Sequence, residues 1–496
     1  MIIKSNDELL NLKILLPVLI LLVIKISVVN VSSLISLIAF LEFILLFAIL
    51  IIKGVKNFLL LLIIIVSTSF DVPAFVNPVL TELPSVTNLP SFGVLGFFSL
   101  IIIALIKLKI NPHTTQNFLK EDKNLSFLIK FSVYLIFSGL FMGFISLIIS
   151  DNNIPLNVFL VFFKLDFSKY FISSVLILLY AFQIRKSHTF SIDLRKILFN
   201  TLIALIIGGF ISTLIGVFGF YGESEIILIP LPFFFSTCVI LFLFKSKIKN
   251  EILVLLIVSI LALYLQFNYA NALSGKSWSV LFFLLIIIYF FYLKGSLKIP
   301  IIFLLLGFVS FSSLNVFGLA FNSKENDLIS RKIEEAISII DITQDNYYEN
   351  IDASPKARID EFLNVIEEYN QKPFFSILGK GFGGSTKDHI KAFGSFQSSY
   401  FSDNEYIYGS FVFLHETINI MTLKFGLVGI VMFIILLIRI IKSGLRNEWL
   451  VIGFLWLFFF LGYTFSLGVF GIAALVLGLY SSKIKNSIQG NLVNND

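Results

Sequence analysis

The chain has 496 residues, of which 57% are hydrophobic and only 14% charged, with a mean hydropathy of +0.95. That balance excludes an ordinary soluble protein, and the single cysteine, Cys238, excludes a disulfide framework and a cysteine metal site. A formal net charge of +6 would suit nucleic acid, but the basic residues are dispersed beside apolar runs, where membrane topology places them, so no nucleic-acid partner is expected.

Residues 1–13 are polar, and the apolar segment after them is followed at once by another, which reads as a first membrane span and not as a cleaved signal peptide. Apolar stretches near twenty residues predict an all-α polytopic membrane protein of about 12–14 transmembrane helices. They centre near residues 22, 43, 63, 100, 139, 176, 208, 235, 260, 286, 309, 431, 456 and 473, and those near 63, 176 and 473 are short enough to be broken or re-entrant. The organisation expected is transmembrane helices with short loops over 1–320, one large external and partly helical loop over 321–414, and C-terminal transmembrane helices over 415–496.

Threaded from an inside N-terminus, the chain sends Lys53, Lys107, Lys109, Arg185, Lys186, Lys245, Lys247, Lys294, Lys442 and Lys485 to one side, with His113 and His188 among them. That side is cytoplasmic by the positive-inside rule. Lys25 and Lys130 fall inside or near spans and are expected to snorkel to an interface. The proline-rich loop over 71–91 would lie outside, and residues 156–171, with Lys164, Asp166 and Lys169, suggest an interfacial helix on the same side. Asn271 to Trp278 forms a short external loop containing Lys276.

The polar block from Asn322 to Tyr408 is too long for a connector, and irregular segments of that size are usually functional. Within it, Ile333, Ala336, Ile337 and Ile340 give an amphipathic helix that carries Arg331, a reserve anion-binding candidate. Ser354-Pro355 opens a second. There Ile359, Phe362, Leu363 and Ile366 are expected to form the face that packs, with Lys356, Asp360, Glu361, Glu367 and Glu368 on the other side. Arg358 lies in the first turn, where a cation is unfavourable unless an anion is near. It is either a phosphate clamp or a surface arginine paired with Asp360 or Glu361.

The run from Gly379 to Gly384 contains G-x-G-x-x-G but lacks the strand and distant acid of a dinucleotide site, so a tight turn with close backbone approach is expected. His415 stands just before Ile418 to Ile441, an apolar stretch able to cross a membrane. An imidazole at that mouth suits proton abstraction from a lipid-linked head group, and a structural histidine is the alternative. His389 is a second histidine candidate in the block.

An arginine opening an amphipathic helix, Pro373, ILGKGFGG, and then a histidine before a KFGLVG step together resemble the O-antigen polymerase and O-antigen ligase family of membrane glycosyltransferases. The likeness covers about Ser274 to Ile441. Glu416 stands where family members often carry asparagine, and Lys276 where arginine is common. The resemblance implies a multi-pass protein of the bacterial cytoplasmic (inner) membrane. Its expected activity is metal-independent polymerisation of undecaprenyl-pyrophosphate-linked repeat units, for O-antigen or capsular polysaccharide, on the outer face. His415 would be the base; Arg358 and Lys276 would hold the pyrophosphate; Glu416, Arg331 and His389 are secondary. No cofactor or metal is expected. Expected partners are the lipid-linked oligosaccharides, the bilayer and other assembly proteins such as a chain-length regulator. The alternatives are a ligase that transfers finished chains to a lipid core and a non-enzymatic flippase, the latter disfavoured because the spans read as nearly charge-free.

Overall fold

The computed structural model describes residues 10–28, 32–68, 92–108, 123–149, 155–207 with gaps after 187, 353–393, 401–414 with gaps, and 417–443. Among these residues the chain is all helical, with one isolated antiparallel bridge, Thr386 to Phe411, and no strand ladder. The expected spans near 235, 260, 286, 309, 456 and 473 lie outside the described residues, as do Cys238 and the loop over 71–91.

Helices α1 (Leu12–Val28), α2 (Ser32–Ile52) and α3 (Val55–Ser67) are built from unbroken Leu, Ile and Phe runs. Gly54, at φ 80°, ends α2 with its N–H and that of Lys53 both on the Ile49 carbonyl, so α3 starts one residue later. Lys25 does not snorkel. Its Nζ lies 2.6 Å from Glu42 Oε1 and donates to Thr68 Oγ1 at 3.1 Å, so a partner on α2 and another beyond α3 make burial tolerable. Lys130 is exposed.

Helices α4 (Phe92–Leu108), α5 (Lys123–Ile149) and α6 (Leu156–Lys186) follow. The interfacial helix expected over 156–171 is instead the first half of α6, which runs unbroken for 31 residues. No Gly or Pro interrupts it, and Asp166, the charge that suggested an interface, is buried with partners described below. Two segments are long and apolar enough to cross a membrane, Ser126–Ile149 and Ile418–Leu436; Leu37–Ile52, Val55–Ile65, Phe98–Leu108 and Ser174–Gln183 are shorter apolar helices.

Helix α7 (Ala353–Gln371) begins where Ser354-Pro355 predicts, and Pro373 separates it from the short α8 (Phe374–Leu378). After α9 (Asp403–Tyr408) comes α10 (Thr417–Ser443), which breaks at Gly426. Helix α8 packs on α10, and α10 on α5. Val365, Tyr369, Phe375, Phe393, Phe411 and Leu423 form the apolar core beneath α7.

Which face of α7 packs is the reverse of the expectation. Asp360, Glu361, Asn364 and Glu368 are buried, whereas Leu363 and Ile366 are 40% and 37% exposed. The polar side turns inward because partners wait for it there: the broken end of α10, the glycine loop and the segment from Thr386 to Phe393.

Candidate functional site

A helix broken at its middle leaves carbonyls without their i+4 donors. At Gly426 (φ 59°, ψ −158°) α10 does this, orphaning the carbonyls just before the break. The Tyr369 hydroxyl donates to the Thr422 and Leu423 carbonyls at 2.5 and 3.1 Å. The Lys380 N–H donates to Leu423 O at 2.8 Å and the Gly381 N–H to Lys424 O at 2.9 Å. So α7 and the loop after α8 supply the donors that α10 lacks.

The loop fits only because it lacks side chains. Gly381 has φ 71°, and a Cβ there would lie 2.1 Å from Gly143 N and 2.5 Å from Gly139 O, on the backbone of α5. The Phe382 N–H bonds Gly139 O at 2.8 Å, and its ring stacks on Tyr170 at 5.5 Å with Phe163, Phe167 and Phe425 around it. The expectation of a tight turn with close backbone approach describes this loop.

Two buried ion pairs fasten it. Lys424 Nζ lies 2.6 Å from Asp166 Oδ2 and donates to Gly384 O at 2.8 Å, while Asp166 Oδ2 also accepts the Gly383 N–H at 2.8 Å. Lys380 Nζ bonds Glu368 Oε1 at 2.6 Å and Ser385 O at 2.7 Å. Burial alone would raise the Glu368 carboxyl, but the Lys380 ammonium, joined by His389, holds it down at about 2.

Two of the predicted site residues fall among those described, and they lie at different places on this hub. Arg358 is half-buried in the second turn of α7, one turn further in than the sequence expectation because the helix already starts at Ala353. Its carbonyl accepts from Asn419 Nδ2 at 2.9 Å, and the same nitrogen donates to Glu361 Oε2 at 3.1 Å. The start of α10, directly after His415 in sequence, is therefore fixed against the start of α7. His389 lies further along, with Nε2 2.7 Å from Glu368 Oε2 and Nδ1 3.2 Å from Gln371 Nε2. Asn364 braces the same segment through the Ile390 N–H and Asp388, which in turn caps Ala392 and Phe393. Burial and the neighbouring Asp388 raise the Asp360 carboxyl to about 6, close to neutrality. His415, Glu416, Lys276 and Arg331 lie outside the described residues.

The residues that the sequence reading missed are Asp166, Lys424, Lys380, Tyr369 and Asn419. A lysine inside the apolar run IMTLKFGLVG was the available signal, since an ionisable group in such a setting requires a buried partner. The helices expected to be spans are thus not charge-free: Lys25 pairs with Glu42 and Asp166 with Lys424 within them. Among the described residues no group of three or more His, Cys, Asp and Glu is arranged to hold a metal.

By fold the chain is an all-helical protein, among the described residues, with two helices able to cross a membrane. No protein-family model, curated protein or solved structure matches it.

Proposed function

We propose that the chain is a polytopic protein of the bacterial cytoplasmic membrane that polymerises undecaprenyl-pyrophosphate-linked oligosaccharide repeat units at the outer face. The observation that carries this reading is the contact of Asn419 with the Arg358 carbonyl. It holds the turn of α7 that carries Arg358 against the turn of α10 that begins two residues after His415 in sequence, which supports a site shared by the two. In the reaction His415 takes the proton of the acceptor sugar hydroxyl, the freed oxygen bonds the anomeric carbon of the donor, and the bond from that carbon to pyrophosphate breaks. Arg358, helped by Lys276, stabilises the departing pyrophosphate, which leaves with the bonding pair. Arg331 is held in reserve as an anion contact, and Glu416 either orients the imidazole or takes part itself.

Complementation of a null strain tests the assignment, scored by polysaccharide gel beside an immunoblot for the protein. Arg358→Ala and His415→Ala should each abolish long polymer at normal protein level, and Lys276→Ala should reduce it less. Normal polymer from His415→Ala would make that histidine structural and move the base to Glu416 or His389. A ligase would instead leave long chains on the carrier lipid when lost. The flippase reading gains one argument from the buried pairs Lys25–Glu42 and Asp166–Lys424, because transport paths carry such charges. Transbilayer movement of an intact lipid-linked unit without chain extension would favour it.

A further inference from the structure

The loop from Gly379 to Gly384 touches both candidate spans near their middles. Along α5, at about 1.5 Å per residue, Gly139 falls about 20 Å from the Ser126 end and about 15 Å from the Ile149 end. Along α10, Gly426 falls about 12 Å from the Ile418 end and about 15 Å from the Leu436 end. The Phe382 N–H bonds Gly139 O, and the Gly381 N–H bonds Lys424 O two residues before the break. A hydrocarbon core is about 30 Å thick, so anything bound at both places sits close to its middle once these helices span it.

Irregular backbone survives at that depth only where protein satisfies its polar groups. This loop meets the condition. The N–H groups of residues 379 to 384 all bond inside the protein: to Phe375 O, Leu423 O, Lys424 O, Gly139 O, the Asp166 carboxylate and Gly381 O in turn. The loop residues themselves are buried. The two most exposed residues of α8 are apolar, Phe374 and Ile377 at 54% and 56%, with Ser376 between them half-buried. They adjoin the outer face of α10, because the Ile377 carbonyl lies 2.7 Å from where a Cβ on Gly426 would be, and Leu427, the next residue, is 59% exposed. Val431 and Ile438 continue that face.

We infer that residues 374–384 form a re-entrant element that dips from the outer block into the bilayer, wedged in the break of α10, with Phe374 and Ile377 against lipid acyl chains. This rests on the membrane reading proposed above, and it moves ILGKGFGG out of the aqueous loop in which the sequence placed it. Lys424 and Asp166 then pair at the same depth, which explains a charged lysine in the middle of an apolar span.

Nitroxide labels on single cysteines, in a Cys238→Ser background, test it in the full chain reconstituted into phosphatidylethanolamine and phosphatidylglycerol vesicles. Collision with oxygen against collision with a water-soluble nickel chelate reports depth. Labels at Ile377→Cys and Phe374→Cys should read as lipidic as one at Val431→Cys, while Lys391→Cys, on an exposed turn, reads aqueous. Either of the first two sites suffices if the other variant fails to fold. Aqueous readings at Ile377 and Phe374 with Val431 lipidic would overturn the re-entrant placement alone. Aqueous readings at all three would overturn the membrane reading with it.

Discussion

Replacing Asp166 by alanine tests how the glycine loop is held. Asp166 Oδ2 carries both the Lys424 ammonium at 2.6 Å and the Gly383 N–H at 2.8 Å, and Lys424 is 1% exposed. Asp166→Ala therefore strands a buried cation with only the Gly384 carbonyl. Breaking one side of a buried pair costs about 3–5 kcal/mol, and the orphaned Gly383 N–H adds about 1–3 kcal/mol. Removing the cation as well, in Asp166→Ala with Lys424→Met, should recover most of the first amount and leave the second. The double variant is thus expected to be more stable than Asp166→Ala alone by about 2–4 kcal/mol, so its loss falls well short of the sum of the two single losses, the sign that marks a direct contact. Unfolding by sodium dodecyl sulfate in mixed micelles, followed by tryptophan fluorescence for the four corners of the cycle, gives the numbers. Additive losses, or an Asp166→Ala loss no larger than that of the exposed control Lys130→Ala, would refute the pairing.

Gly381→Ala should give no monodisperse protein on size-exclusion chromatography, because its Cβ would meet the α5 backbone at 2.1 Å as well as a left-handed φ. Gly409→Ala has φ 57° but nothing within 4 Å, so it should cost only about 1–2 kcal/mol and remain folded. The Asp360 carboxyl is raised from the ordinary value near 3.8 to about 6, so its ionised form costs stability above pH 6 and that cost fades as the pH falls toward 4. Asp360→Asn should therefore raise the thermal midpoint at pH 7.5 and leave it unchanged near pH 4; an equal shift at both values would remove the carboxyl's charge as the cause.

How much of this was readable in advance depends on what each residue answers to. Helix α7 and its start at Ser354-Pro355 follow from local chemistry, as does the turn at Gly379 to Gly384, and sequence pattern shows both. The packed face of α7 does not follow, because periodicity says only that two faces differ. Burial of Glu361, Asn364 and Glu368 depends on partners from distant segments: Asn419 donates to Glu361, Lys380 to Glu368, and Asp388 accepts from Asn364. The same holds for Asp166. Read alone it marks an interface, and only Lys424, 258 residues away, turns it into part of a continuous helix core. Arg358 was legible as a residue in an unusual electrostatic position, but its nearness to the start of α10 came from Asn419, an asparagine with no signature of its own.

The most direct measurement of the proposed activity uses the purified protein in liposomes with one synthetic undecaprenyl-pyrophosphate-linked repeat unit as its sole substrate and chelator present throughout. A ladder of multimers, absent with Arg358→Ala and with His415→Ala, is the expected result. No product until a separate lipid-core acceptor is added would contradict polymerisation and make the protein a ligase. No product with any acceptor would contradict glycosyl transfer altogether.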